Sequence, residues 1–183
     1  MNEQTFSLKP FPDYQVQPDL RISGNIIRYV NELTITYALF GDLKDVLIAA
    51  DSNVSSNIAG RKHGLWEETC FEFFLGIKDS PSYWEFNLSP SGHWNVYSFE
   101  GYRQGMQEEI LFTELPFTVQ FPTDGLVTAV SINLDKFAPP DQIIQVGITS
   151  VIKQKDGSFS YWALAHKGEE PDFHLRKSFV IEL

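Results

Sequence analysis

Residues 69–89 read TCFEFFLGIKDSPSYWEFNLS, two apolar runs on either side of a Lys-Asp-Ser-Pro break. Each run alternates with period two, the repeat of a strand whose side chains point to opposite faces in turn. In the first run Phe71, Phe73 and Leu75 share a face, and Cys70, Glu72 and Phe74 share the other. In the second, Trp84, Phe86 and Leu88 lie opposite Tyr83, Glu85 and Asn87. A turn at Ser80-Pro81 joins them into an antiparallel hairpin with one Phe/Trp core face. Glu72, Glu85 and Asn87 then emerge together from the other face, beside Phe74 and Tyr83. The register decides whether Glu72 faces Glu85, Asn87 or Ser89. Cross-strand neighbours approach to roughly 5 Å, and diagonal ones to about 7–8 Å.

The same alternation continues outward. Leu33, Ile35, Tyr37 and Leu39 oppose Thr34 and Thr36; Leu126, Val130 and Ile132 oppose Val127, Ala129 and Ser131; Ile144, Val146 and Ile148 oppose Gln145 and Gly147. Ser89-Pro90-Ser91-Gly92 has Pro second and Gly fourth, as a type I turn prefers. Lys155-Asp156-Gly157-Ser158 carries Asp-Gly, a strong hairpin signal, between a strand ending near Ile152 and one running from Phe159 to Ala165. Helical pattern is confined to Tyr102–Glu109 and Leu134–Phe137. Many short strands with one or two helical turns predict an all-β, antiparallel β-sandwich or barrel. Asp42–Gly64 and Glu100–Phe112 are the longest excursions, where a rigid sandwich tends to carry its binding loops.

A chain of 183 residues is expected to form one domain, residues 1–183. At this size folding buries about 70% of the unfolded surface, so neither disulfide nor metal is needed for a core. The net charge of −10 disfavours nucleic acid and anionic membranes as partners. The one cysteine, Cys70, reads as a small half-buried hydrophobe on a strand. Met1–Pro12 has no signal-peptide pattern, and no apolar run of about 18 residues occurs, so a cytoplasmic location is expected.

Carboxylates and an amide beside aromatic rings suit a sugar, whose hydroxyls donate to the oxygens and whose C–H faces stack on the rings. Two plainer readings compete: a solvated outer face, or an internal salt link from Glu72 or Glu85 to Arg61 or Arg103. Trp66, at a loop-to-strand junction, is a ligand platform or a core anchor. Trp84 and Trp94 follow the alternation into the core, and Trp162 is ambiguous. His166, Asp172 and His174 form a C-terminal cluster whose spacing matches no zinc motif; hydrogen bonds that pin a loop account for it better.

The stretches GLWEETCFEFFLG, YWEFNLSPSGHWNVYSFEGYR and YWALAH…PDFH resemble the bacterial DOMON-like proteins, which are related to family-nine-type carbohydrate-binding modules. The resemblance spans about Leu33 to Phe179. It implies an antiparallel β-sandwich of jelly-roll type. In the carbohydrate-binding relatives a Trp and an acidic residue open one strand, and a Glu/Asn-bearing strand with a Gly turn follows. Trp66, Glu72, Glu85, Asn87 and Gly92 fill such positions here. The wider group binds sugars or haem, and some relatives carry calcium. Most sugar-binding relatives are secreted or attached to an enzyme, and this chain shows neither feature.

The resulting expectation is a non-catalytic domain that binds a sugar or similar polar small molecule and needs no cofactor. Trp66 and Trp162 would stack on the ligand; Glu72, Glu85 and Asn87 would accept its hydroxyl protons; Tyr102, Arg103, His166 and His174 would complete the site from loops. Three alternatives remain. One is haem binding through Met106 and a histidine among His63, His93, His166 and His174. Another is a glycoside-modifying enzyme using the Glu72–Glu85 pair, for which the sequence displays neither a deep cleft nor a carboxyl of raised pKa. The third is a protein-interaction domain.

Overall fold

The computed structural model describes residues 2–14, 16–48, 60–139 and 141–183. Two antiparallel sheets face one another. The smaller is ordered β1 (Asn2–Ser7), β3 (Arg21–Tyr29), β4 (Glu32–Phe40), β10 (Gly125–Asn133) and β9 (Phe117–Gln120). The larger runs β2 (Lys9–Pro10), β12 (Phe159–Ala163), β11 (Ile144–Lys153), β5 (Cys70–Ile77), β6 (Tyr83–Leu88), β7 (Trp94–Phe99) and β8 (Gln107–Glu108), with β13 (Ile181–Glu182) also paired to β11. The expected antiparallel β-sandwich is therefore the fold.

Alternation places the core between the sheets. Leu33, Ile35, Tyr37 and Leu39 of β4 meet Phe71, Phe73 and Leu75 of β5 and Phe86 and Leu88 of β6, all with essentially no exposure. Each such side chain contributes about 1.5–3 kcal/mol by leaving water. The Phe73 and Phe86 rings stack with centroids 4.3 Å apart, as expected of directly opposed residues. Trp94 is buried in this core, and Trp84 packs half-buried against it.

The larger sheet also buries its other face, which distinguishes it from a sandwich with two wet outer surfaces. Phe74, Tyr83, Tyr97, Phe99 and Val151 form a second apolar cluster there with Phe173 and Phe179. The chain after β12 crosses this face and holds it. Arg176 Nη2 donates to the Ile77 carbonyl (3.0 Å) and to Gln145 Oε1 (2.9 Å), and its guanidinium lies 4.8 Å from the Phe179 ring centroid. Gly147 makes room for Phe179: a Cβ there would sit 2.9 Å from the ring's Cδ1.

Short 3₁₀ turns occupy Leu65–Glu67, Leu134–Lys136 and Arg176–Ser178. The Leu134 expectation is met, but Tyr102–Glu109 is not helical. A tight turn bridges Gly101 to Gln104, with Arg103 and Gly105 at positive φ, and the chain then enters β8. The Asp-Gly hairpin forms as expected, with Gly157 at φ +90°. Its second strand ends at Ala163, short of Ala165. Cys70 is fully buried, not half-buried. Part of the Asp42–Gly64 excursion lies outside the described residues.

Candidate ligand-binding site

On the outer face of the larger sheet a cavity of about 390 Å³ opens between the strands and the crossing C-terminal segment. Its floor comes from four adjacent strands: Glu72 and Phe74 on β5, Glu85 on β6, Val151 on β11 and Tyr161 on β12. Trp66 walls one side from the 3₁₀ turn before β5, and Arg103 and Met106 come from the loop after β7. Pro171, Phe173 and His174 close it from the C-terminal segment.

Register explains how the acids meet. Glu72 stands opposite Asn87 on β6 and Thr149 on β11, and Phe74 stands opposite Glu85. Glu72 and Glu85 are thus diagonal neighbours, a relation that spans about 7–8 Å between backbones. Both are nearly buried, at 2% and 4% exposure. Asn87 is fully buried behind them and donates from Nδ2 to Glu85 Oε1 at 2.8 Å. Glu72 Oε1 has no hydrogen-bond partner among the described residues.

Burial sets the protonation of these groups. It pushes Glu72 well above the ordinary carboxylate range, and the neighbouring Glu85 adds to the shift. Burial raises Glu85 to about 7, against the downward pull of the Asn87 bond and the Arg103 charge. His174 is lowered to about 4, first by burial and then by Arg103. Its Nε2 lies 3.8 Å from Glu85 Oε2. With the imidazole neutral at pH 7, that approach is a contact and not an ion pair.

A hydrogen-bond relay fixes the rim. The Arg103 N–H donates to the Tyr83 hydroxyl (3.2 Å), which lies 2.9 Å from His174 Nδ1. With the Tyr83 proton on that bond, the remaining imidazole proton is on Nε2, toward Glu85. Asp172 accepts from Arg103 Nη2 (3.0 Å), from the Tyr102 hydroxyl (2.6 Å) and from the His174 N–H (3.1 Å). Those contacts hold Arg103 at its left-handed φ of 53°. Trp66 leans edge-on against Tyr97 and His63, at 5.6 and 5.1 Å between centroids.

Trp66, Glu72, Glu85, Arg103 and His174 all line the cavity, with Asn87 bonded to Glu85 from behind. Tyr102 is half exposed and reaches Asp172 at the rim rather than the interior. Two expected residues lie elsewhere. Trp162 is an even-numbered residue of β12, opposite Ser150, so it points between the sheets and donates to Ser160 Oγ (2.9 Å). His166 contacts the Lys9 carbonyl (2.8 Å) and packs on Phe11, away from the cavity. Gly92 closes the β6–β7 turn at φ +90° and lines nothing. Among the described residues neither Glu72 nor Glu85 is ion-paired with Arg61 or Arg103. Arg61 donates to Asn95 Oδ1 and to backbone carbonyls, and Arg103 pairs with Asp172. Tyr161, Phe99 and Phe173 were missed. Tyr161 could have been found by extending the Asp-Gly hairpin register to Val151.

The arrangement does not suit haem. Met106 and His174 both line the cavity, but His174 Nε2 faces Glu85 with no space for an iron between them. Among the described residues no three His, Cys, Asp or Glu side chains gather as a metal site, and calcium would take about six to eight oxygens.

No family model matches this chain, and no curated protein does so by sequence. Solved structures do. A candidate carbohydrate-binding protein from Bacteroides uniformis superposes with a TM-score of 0.71 at 14% identity, over 97% of this chain and 83% of that one. A family 9 carbohydrate-binding module from Caldicellulosiruptor kristjanssonii, solved with cellotriose, gives 0.50 at 12% identity, over 87% and 72%. The fold is that of these proteins. At such identities the likeness extends to architecture and not to individual site residues. No helix among the described residues is long and apolar enough to cross a membrane.

Proposed function

We propose that the chain is a non-catalytic binding module for a sugar or similar polyhydroxy small molecule, of the kind the DOMON-like resemblance implies. The observation that carries this reading is the convergence of Glu72, Glu85 and Trp66, from three separate elements, on one open cavity of about 390 Å³. That volume lies at the small end of ligand sites, about 300–1,000 Å³. Aromatic walls offer stacking surfaces, and buried carboxyls offer oriented polar partners. Two architectural neighbours described as carbohydrate-binding support the proposal. Hydrogen bonds to these carboxyls, together with stacking on the ring walls, are expected to give binding in the micromolar to millimolar range. Calorimetry across mono- and disaccharides tests it: at least one binds, and Glu85→Ala abolishes the signal. A panel with no binder refutes the proposal.

One observation favours a second reading. Glu85 is raised to about 7 beside a Glu72 moved in the same direction, and a carboxyl that stays protonated near neutral pH can act as a general acid. Release of nitrophenol from aryl glycosides, lost in Glu72→Gln, would establish that reading; no release rules it out.

A further inference from the structure

We propose that the cavity selects a ligand bearing a protonated primary amine, an amino sugar in preference to a neutral one, with the ammonium seated between Glu72 and Glu85. This deepens the sugar-binding proposal and rests on it. Two carboxyl groups converge on one cavity, and among the described residues neither is ion-paired with a Lys or Arg. The Arg103 charge reaches Glu85, but its guanidinium is committed to Asp172 (3.0 Å). Arg176 is turned to the Ile77 carbonyl and Gln145, and Arg61 to Asn95 and main-chain oxygens. His174 is neutral near pH 7, as argued above.

Two carboxyl oxygens remain without hydrogen-bond partners among the described residues. One is Glu72 Oε1, buried and without any partner; the other is Glu85 Oε2, whose nearest polar neighbour, His174 Nε2, stands 3.8 Å away, beyond hydrogen-bond distance, while its sister oxygen takes the Asn87 bond. A neutral hydroxyl can donate to one of them but brings no charge that would compensate their ionised forms. An ammonium has three donors and no acceptor, so it can serve both and supplies the missing charge. The carboxyls then ionise on binding, releasing protons to solvent as the cation replaces them. The walls agree: Trp66, Phe74, Phe99, Tyr161 and Phe173 surround the acids with ring surfaces, and ring faces attract cations. Arg103 and Asp172 at the rim remain placed for the hydroxyls.

Calorimetry near neutral pH with glucosamine, glucose, N-acetylglucosamine and ethanolamine separates the outcomes. Glucosamine is expected to bind about tenfold or more tighter than glucose or its own N-acetyl form. That ratio is expected to fall toward one in Glu72→Gln and in Glu85→Gln. If one variant fails to fold, the other gives the same ratio. Glucose binding as tightly as glucosamine overturns the amine selection and leaves the sugar-binding proposal standing. Ethanolamine matching glucosamine while glucose does not bind keeps the ammonium seat and overturns the sugar reading. No binding by any of the four overturns both.

Discussion

Asn87 Nδ2 donates a 2.8 Å hydrogen bond to Glu85 Oε1, two positions back along the same strand, and is itself fully buried. It is the one side chain whose bond holds Glu85 down against burial. Asn87→Ala is therefore expected to raise the Glu85 pKa above its present value of about 7. It also leaves a buried carboxyl oxygen without its donor, at about 1–3 kcal/mol in stability. Carboxyl NMR titration and denaturant unfolding measure the two effects; a Glu85 pKa unmoved or lowered contradicts the assignment.

The acids and the histidine make opposite contributions to stability as pH changes. Glu85 rises from 4.5 to about 7 on folding, so its contribution is complete below 4.5 and is lost as pH climbs through about 7. Glu72 is moved in the same direction. His174 falls from 6.5 to about 4, so its contribution is present above 6.5 and lost as pH drops toward 4. Between about pH 5 and 6.5 two carboxyls act against one imidazole, and stability is expected to decline with rising pH by about 1.4 kcal/mol per unit. Glu85→Gln should flatten that slope and His174→Gln should steepen it. Urea unfolding at a series of pH values checks both; a stability that rises across the window contradicts the scheme.

Tyr161 and Trp162 are adjacent in sequence and face opposite sides of the sheet. Trp162→Ala opens the main core, and is expected to lower stability by about 3–5 kcal/mol. Tyr161→Ala removes only a piece of the cavity floor. It is expected to weaken ligand binding about tenfold, with a smaller stability loss. Thermal unfolding paired with calorimetry distinguishes them. A Trp162→Ala protein of full stability would show that the side chain is not a core element.

Gly147 lies against Phe179, which in turn packs on Phe74 at 5.6 Å between centroids. Gly147→Ala should displace the Phe179 ring and, through it, the Phe74 wall of the cavity. The expected cost is about 1–3 kcal/mol, as for other overpacked sites, with a measurable loss of affinity. Unchanged stability would mean that the C-terminal segment yields freely.

Local pattern carried the hairpin and its parity. Phe71, Phe73, Trp84 and Phe86 alternate so regularly that a one-residue slip would turn the whole core outward. The placement of Glu72, Glu85 and Asn87 on one shared face followed from that. What the pattern lacked was the fate of that face. Phe74 and Tyr83 sit on it in sequence, and large apolar residues among acids were the sign that something covers it. The cover itself, Phe173 to Phe179, arrives from about a hundred residues away with no period of its own. Trp162 was left ambiguous for want of register. Its partner Ser150 becomes identifiable only once the Asp-Gly turn fixes the count.

The strand layer that carries the cavity is greasy on both sides, and its second coat is the single segment that follows β12. Without that segment, Phe74, Tyr83, Tyr97 and Phe99 present a bare aromatic surface to water. A polypeptide clipped after β12 would thus be sticky, and would lose Phe173 and His174 from the cavity wall. One segment therefore both covers the sheet and walls the cavity.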